Sequence, residues 1–225
     1  MWITTFSCCI QQLFTNKNIN KKYTKGIKVC LKENNFIKFC GELPMEYSFN
    51  LFNKLAPSGI VLALEQILKT QTAPPVILCI GSDLSIGDSM GPLCGTMLYA
   101  DKNPEIFVYG TLQKTVTAKE IRFMNSFLKE THPNSPVIAV DAAVGAAGDI
   151  GLIKVTSGGI KPGAGANKKL EKVGDVGILG IIAEKSVFNY SLLNLTRLNL
   201  VWSMADIIAR ALSEYTHKDR LKIAV

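Results

Sequence analysis

From Ser58 onward the chain alternates between helically spaced apolar positions and short continuous apolar runs. SGIVLALEQILKT carries its apolar residues at helical spacing behind an Ala-Pro-Ser start signal, which predicts a helix to about Lys69. Pro74-Pro75 stops it, and VILCIG (76–81) reads as a buried strand that ends in a Gly/Ser/Asp loop. GPLCGTMLYA (91–100) follows as a helix with Pro92 in its first turn. EIFVYG (105–110) is a strand, TAKEIRFMNSFLKE (117–130) an amphipathic helix, and SPVIAVDA (135–142) a strand ending on an aspartate. DIGLIKVTSG (149–158) and VGILGIIAEK (176–185) are further strands, and NLTRLNLVWSMADIIARALSEYT (194–216) is a long closing helix.

Helices alternating with uninterrupted apolar strands predict an α/β fold with a largely parallel sheet covered on both faces. In such sheets the functional crevice lies beyond the carboxyl ends of the strands. The loops after Ile80, Gly110 and Val140 are therefore expected to line one site.

Charge changes the picture of the first 44 residues only. The 225 residues carry a net charge of +7, which raises the question of nucleic acid. Residues 1–40, however, hold seven lysines against the single acid Glu33, while the remaining 185 residues carry 18 basic and 17 acidic side chains. The basicity belongs to a leader that has no arginine and no aromatic-basic repeat, so no nucleic-acid partner is expected. Residues 1–44 read as a poorly structured basic leader and 45–225 as a single α/β domain. The leader is a docking arm, a dispensable appendage, or a stretch upstream of a natural start at Met45.

Composition narrows the chemistry further. Four of six cysteines lie in the leader, and Cys79 and Cys94 stand alone in apolar segments, which suits a reducing compartment. There is no CxxC and no Cys/His cluster with zinc spacing, so neither a metal nor a cofactor is expected. No apolar stretch approaches the roughly 20 residues of a membrane span, and a cytoplasmic location is expected.

Two of the three crevice loops offer a carboxylate. Asp88 lies in Gly81-Ser82-Asp83-Leu84-Ser85-Ile86-Gly87-Asp88-Ser89-Met90-Gly91-Pro92, just ahead of a helix N-terminus. It serves either as a cap or, since Pro92 sets the helix start near Gly91, as a loop acid available for chemistry. Asp141 ends a buried strand, where a carboxylate is costly unless solvated, paired or hydrogen-bonded. Its alternatives are a structural acceptor and a catalytic group. Two carboxylates in one site cannot easily both ionise: one keeps its proton while the other activates water, a pairing able to hydrolyse an amide. The same pair could hold a metal if a third ligand stood near. Ser82 and Asp83 in the first loop, with Lys161 and Asn167 in the glycine-rich segment 158–169, are the candidate substrate contacts. That segment lacks GxxxxGK[ST] and does not open a helix after the first strand, which argues against a phosphate site.

The order IGSDLSIGDSMGPLCGT, VYGTL, PVIAVDAAVG, GGIKPGAGANKKL, VGDVGILGI and NLTRLNLVWSMADIIA resembles the sporulation protein YyaC family across about residues 75–212. That family is distantly similar to the spore germination protease and to hydrogenase maturation endopeptidases. The resemblance implies a three-layer, phosphorylase/hydrolase-like α/β fold. In the germination protease an aspartate of a D-x-x-G-P motif and another of an A-I-D-A motif form the catalytic pair. Asp88 of DSMGP and Asp141 of AVDA match them, and its Pro-Gly-Ser-Gly loop resembles Lys161-Pro162-Gly163-Ala164-Gly165. In the maturation enzymes the equivalent acids bind metal with a histidine; neither His132 nor His217 stands at a matching place. The resemblance implies a sporulation-associated endopeptidase that hydrolyses spore proteins or peptides with two aspartates, inside the forespore or spore. It leaves a homo-oligomer open, along with two other functions: a non-catalytic sporulation binding protein and a metal-dependent maturation endopeptidase.

Overall fold

The middle of the sheet is built from segments with no polar position to turn toward water. Val76–Cys79 (VILC) is buried on both faces, as a strand must be when helices cover both sides of it. The computed structural model describes residues 29–32, 36–39, 45–71, 73–101, 106–162, 171–185 and 196–223. The chain divides into two units, Met1–Leu43 and Pro44–Val225. The first holds an antiparallel ribbon of β1 (Val29–Lys32) and β2 (Phe36–Phe39).

The second unit runs β3 (Glu46–Asn50), α1 (Ala56–Ile67), β4 (Val76–Cys79), α2 (Met90–Ala100), β5 (Phe107–Tyr109), α3 (Ile121–Thr131), β6 (Val137–Gly145), β7 (Leu152–Ser157), β8 (Val176–Glu184) and α4 (Leu198–Ile223). One sheet takes the order β3-β7-β8-β6-β4-β5. Strands β5, β4, β6 and β8 are parallel neighbours, while β7 runs antiparallel to β8 and β3 antiparallel to β7. The chain is thus a three-layer α/β protein with a mostly parallel sheet.

Strand alternation divides the core in two. Ile77, Cys79, Ile138, Val140 and Ile178 pack with α1, α2 and α4, whereas Val76, Leu78, Ile80 and Ala139 pack with Ile121, Met124 and Leu128 of α3. Each buried aliphatic side chain contributes about 1.5–3 kcal/mol. A one-residue slip of β4 or β6 would exchange the two sets between faces, so the register is strongly specified.

That register positions the site. Leu78 pairs with Tyr109 and Cys79 with Val140. β4 then stops, but β6 does not end on its aspartate as expected. It continues beside β8 to Gly145, pairing Asp141 with Leu179 and Ala142 with Gly180. From Asp141 onward β6 has β8 on one side and no strand on the other. The connection through α2 winds outward from β4 to β5, and the connection through α3 returns across β4 to β6. The winding reverses between β4 and β6, the place where an open α/β sheet leaves a crevice.

A glycine contact closes the corner beside that crevice. Gly110 follows β5 with φ +89, and a Cβ there would lie 1.8 Å from the Cys79 carbonyl oxygen. Gly110→Ala should therefore cost at least about 2 kcal/mol, combining a left-handed backbone with a clash against an immovable strand. Gly148→Ala, where a Cβ meets nothing within 4 Å, should stay within about 0.5 kcal/mol of the parent. Urea denaturation of the two variants checks the contrast.

Candidate active site

The apolar run of β4 gives way to a loop that folds back on its own origin. The Ile80 N–H still donates to the Val140 carbonyl at 2.7 Å, and Gly81 then turns the chain away. Gly81 has φ +144, and a Cβ there would stand 2.0 Å from the Asp88 carbonyl oxygen. Only glycine leaves room for the loop to close. The Ser82 N–H donates to the Asp88 carbonyl at 3.0 Å, and the Asp88 N–H donates to the Ser85 carbonyl at 3.1 Å. The Ser89 hydroxyl donates to the Ile86 carbonyl at 2.7 Å. These bonds make the single 3-10 turn Gly87–Ser89 that carries Asp88 into α2.

Two further glycines bring this turn down onto the sheet. A Cβ on Gly91 would lie 2.1 Å from the Ile80 carbonyl oxygen, so the first turn of α2 sits directly on the end of β4. Met90 is fully buried and occupies the space left by Gly180, where a Cβ would be 2.3 Å from its sulfur. Gly180 pairs with Ala142. The Asp88 turn is thereby pinned over β6 and β8, one residue past Asp141.

Asp141 is only 6% exposed. Alternation along β6 directs it to the α3 face, opposite to its neighbours Val140 and Ala142. Burial pushes its pKa well above the usual carboxylate range, and the negative charge of Asp88 pushes it further; the Ala142 N–H, donating to Oδ1 at 2.9 Å, opposes both. Asp88 is half-buried. Burial raises its pKa as well, with the Ser82 N–H pulling it back. The Asp88 charge adds to the effect of burial at Asp141, whose pKa is raised further than that of Asp88. One acid holds a proton and its neighbour gives one up more readily, the division of labour that acid–base hydrolysis requires.

The other expected contacts stand differently. The Ser82 hydroxyl is engaged, accepting from the Leu84 N–H at 3.2 Å, and Asp83 is exposed. Ser85, which sequence reasoning passed over, has a buried hydroxyl with no hydrogen-bond partner among the described residues. No sequence signal separates it from the other serines of the loop. The loop of Lys161 leaves the sheet at its amino-terminal edge, where Ser157 pairs with Val176, and lays Ile160 on the α3 face. Lys161 is exposed and, among the described residues, makes no hydrogen bond or ion pair with either aspartate. Asn167 lies outside the described residues.

A metal held by the two acids would need a third donor. Among the described residues no three His, Cys, Asp or Glu side chains cluster to hold one. His132 lies against Phe107 at the far edge of β5, its Nε2 2.8 Å from the Tyr109 hydroxyl. The described residues do not complete a metal site. Cys79 and Cys94 are buried free thiols, and Cys94 is pushed further from ionisation by its contact with Cys79 and by burial; neither has the character of a nucleophile. Among the described residues no helix is long and apolar enough to cross a membrane.

The fold and the site define this chain as an α/β protein with two carboxyl groups at the reversal point of its sheet. The chain belongs to the family described as "Protein of unknown function (DUF1256)", whose model matches residues 49–211. It is 41% identical over 145 residues to "Uncharacterized protein YyaC" of Bacillus subtilis (strain 168), covering 64% of this chain and 71% of that protein. The crystal structure of the NiFe hydrogenase maturation protease HycI from Thermococcus kodakarensis KOD1 is 19% identical, covering 67% of this chain and 99% of that one, with a TM-score of 0.36.

The raised Asp141 pKa has a consequence for stability. The unfolded chain releases this proton near the ordinary aspartate value of about 3.9, whereas the native state retains it to higher pH. The native state then binds more protons, so this group's contribution to stability falls as pH rises from about 4 toward the raised native value. Asp141→Asn should melt within a degree or so of the parent at pH 4 and several degrees higher at pH 7. Thermal melts at the two pH values check this, and a difference independent of pH would contradict it.

Proposed function

We propose that the Pro44–Val225 unit is an aspartate-dependent endopeptidase acting on spore proteins or peptides inside the forespore or spore. The observation that supports it is the unequal pair: a buried Asp141 whose proton is held by burial and by the nearby charge of Asp88, and a half-buried Asp88. The sporulation setting rests on the resemblance of the motifs to the YyaC family.

The difference in exposure supports one division of roles. Asp88, the more accessible and first to ionise, takes a proton from water as the water oxygen attacks the scissile carbonyl carbon. Asp141 donates its proton to the carbonyl oxygen, so the tetrahedral intermediate forms without a free oxyanion. The intermediate collapses as the new hydroxyl returns a proton to Asp141 and Asp88 passes its own to the leaving nitrogen. The C–N bond breaks and both acids regain their starting states.

Asp88→Asn and Asp141→Asn should each lower peptide hydrolysis by at least about 10²-fold, the usual worth of a positioned acid or base. The purified chain and both variants are incubated with an unstructured protein substrate, and new peptide ends are counted by mass spectrometry. Equal cleavage by both variants would refute the paired-acid mechanism. Absence of cleavage by the parent, with binding of the same protein retained, would point to a non-catalytic binding role.

A further inference from the structure

Beside the aspartates the sheet edge carries a second feature that the hydrolytic step does not use. A cavity of about 460 Å³ opens at the carboxyl end of edge strand β5. Its walls come from both faces of the sheet: Tyr99 of α2 on one side, Phe123 and Met124 of α3 on the other, with Val108, Gly110 and Thr111 at its base. Tyr99 and Phe123 are 72% and 67% exposed, large rings left in solvent at the mouth.

The base is held firmly to the candidate active site. Thr111 closes a turn by donating its N–H to the Lys114 carbonyl at 3.0 Å. The Thr96 hydroxyl accepts from the Leu112 N–H at 2.9 Å, tying that turn to α2. The Gly81 N–H, at the start of the Asp88 loop, donates to the Val116 carbonyl at 2.9 Å, and Val116 also lines the cavity. One rigid stretch of backbone therefore joins cavity and catalytic loop.

The strand register gives the spacing. Cys79 pairs with Val140 and Ile80 bridges Val116, so Asp141, Ile80 and Val116 stand at one level on three neighbouring chain segments. Two inter-strand steps of about 4.8 Å separate Asp141 from Val116, at the wall of the cavity, by about 10 Å. An extended peptide advances about 3.3 Å per residue, so a chain cleaved at Asp141 reaches the cavity about three residues from the cut.

We propose that this cavity is a specificity pocket for a large apolar side chain, aromatic or long aliphatic, about three residues from the scissile bond of the substrate. The proposal rests on the endopeptidase reading for its register with the cut. The cavity is roomy enough for such a side chain together with its backbone. Tyr99, Val108, Phe123 and Met124 give it an apolar flank beside the polar Gln113, Lys114 and Glu120, and the side chain would cover the two exposed rings. Continuity with the catalytic loop makes a substrate polypeptide, and not a free small molecule, the fitting occupant.

Two measurements on the full chain test it. In the first, β-casein is digested and the cut sites are mapped by mass spectrometry. Phe, Tyr, Leu and Met should be enriched roughly tenfold at one position about three residues from the cut, on one side of it. The remaining cuts made by a Tyr99→Ala/Phe123→Ala double variant should lose that enrichment. In the second, N-acetyl-phenylalaninamide and N-acetyl-alaninamide are titrated against the isotope-labelled protein. The first should shift the amide signals of residues 110–116 and the second should not, with the shifts lost in the double variant. Binding without any parent cleavage would keep the pocket and overturn the peptidase reading. Cleavage without enrichment, or the absence of selective shifts, would overturn the pocket.

Discussion

The cost of burying a carboxyl group governs the interesting end of this molecule. Asp141 lies inside a strand, nearly sealed from water, and has one backbone N–H to steady its charge. An isolated charge there is expensive, so the group holds its proton to higher pH than an ordinary aspartate. Asp88 makes ionisation harder still. Everything that places Asp88 matters because of that interaction: Gly81 letting the loop close, Gly91 letting α2 rest on β4, and Gly180 making room for Met90. A side chain at any of these glycines would clash with the backbone or with Met90 and displace the turn whose charge adds to the burial of Asp141.

The sheet supplies the opening as well as the support. β4 stops one residue before the level of Asp141, while β6 runs on beside β8. The acid is therefore backed by β8 on one side and has the end of β4 at Ile80 on the other. The outward path through α2 and the return through α3 keep other strands from closing that gap. β5 ends at Tyr109, and the cavity between Tyr99 and Phe123 lies beyond it. Stability and access are thus divided between the two ends of the same strands, with the apolar pairs toward the amino end and the polar pair beyond them.

Much of this was legible in the sequence because buried parallel strands announce themselves as continuous apolar runs. VILC and VGILGIIAE have few polar positions, and the amphipathic period of 121–131 differs from them sharply. The loop acids were legible too, since a strand end is readable even when its partner is not. Direction was harder. Only six residues separate β6 from β7, too few for a parallel crossover, yet no side chain in that turn marks the reversal. β3 was missed because five residues of alternating EYSFN are easily lost beside an Asn- and Lys-rich leader. The end of β6 was misplaced because AAVG after Asp141 is as compatible with a loop as with a strand. Ser82 and Asp83 are readable as polar loop residues, whereas the buried, unpartnered hydroxyl of Ser85 is a property of the folded loop.

The central claim is that two carboxyl groups share one electrostatic site and hold their protons unequally. Carboxyl carbon NMR across a pH titration of the parent chain and of Asp88→Asn reads it directly. Asp141 should retain its proton to higher pH than Asp88, and both to higher pH than an ordinary exposed aspartate. Removing the Asp88 charge should move the Asp141 transition to lower pH without bringing it down to the ordinary range, because burial remains. An Asp141 that titrates like an ordinary exposed aspartate, or one indifferent to Asp88→Asn, would contradict the account.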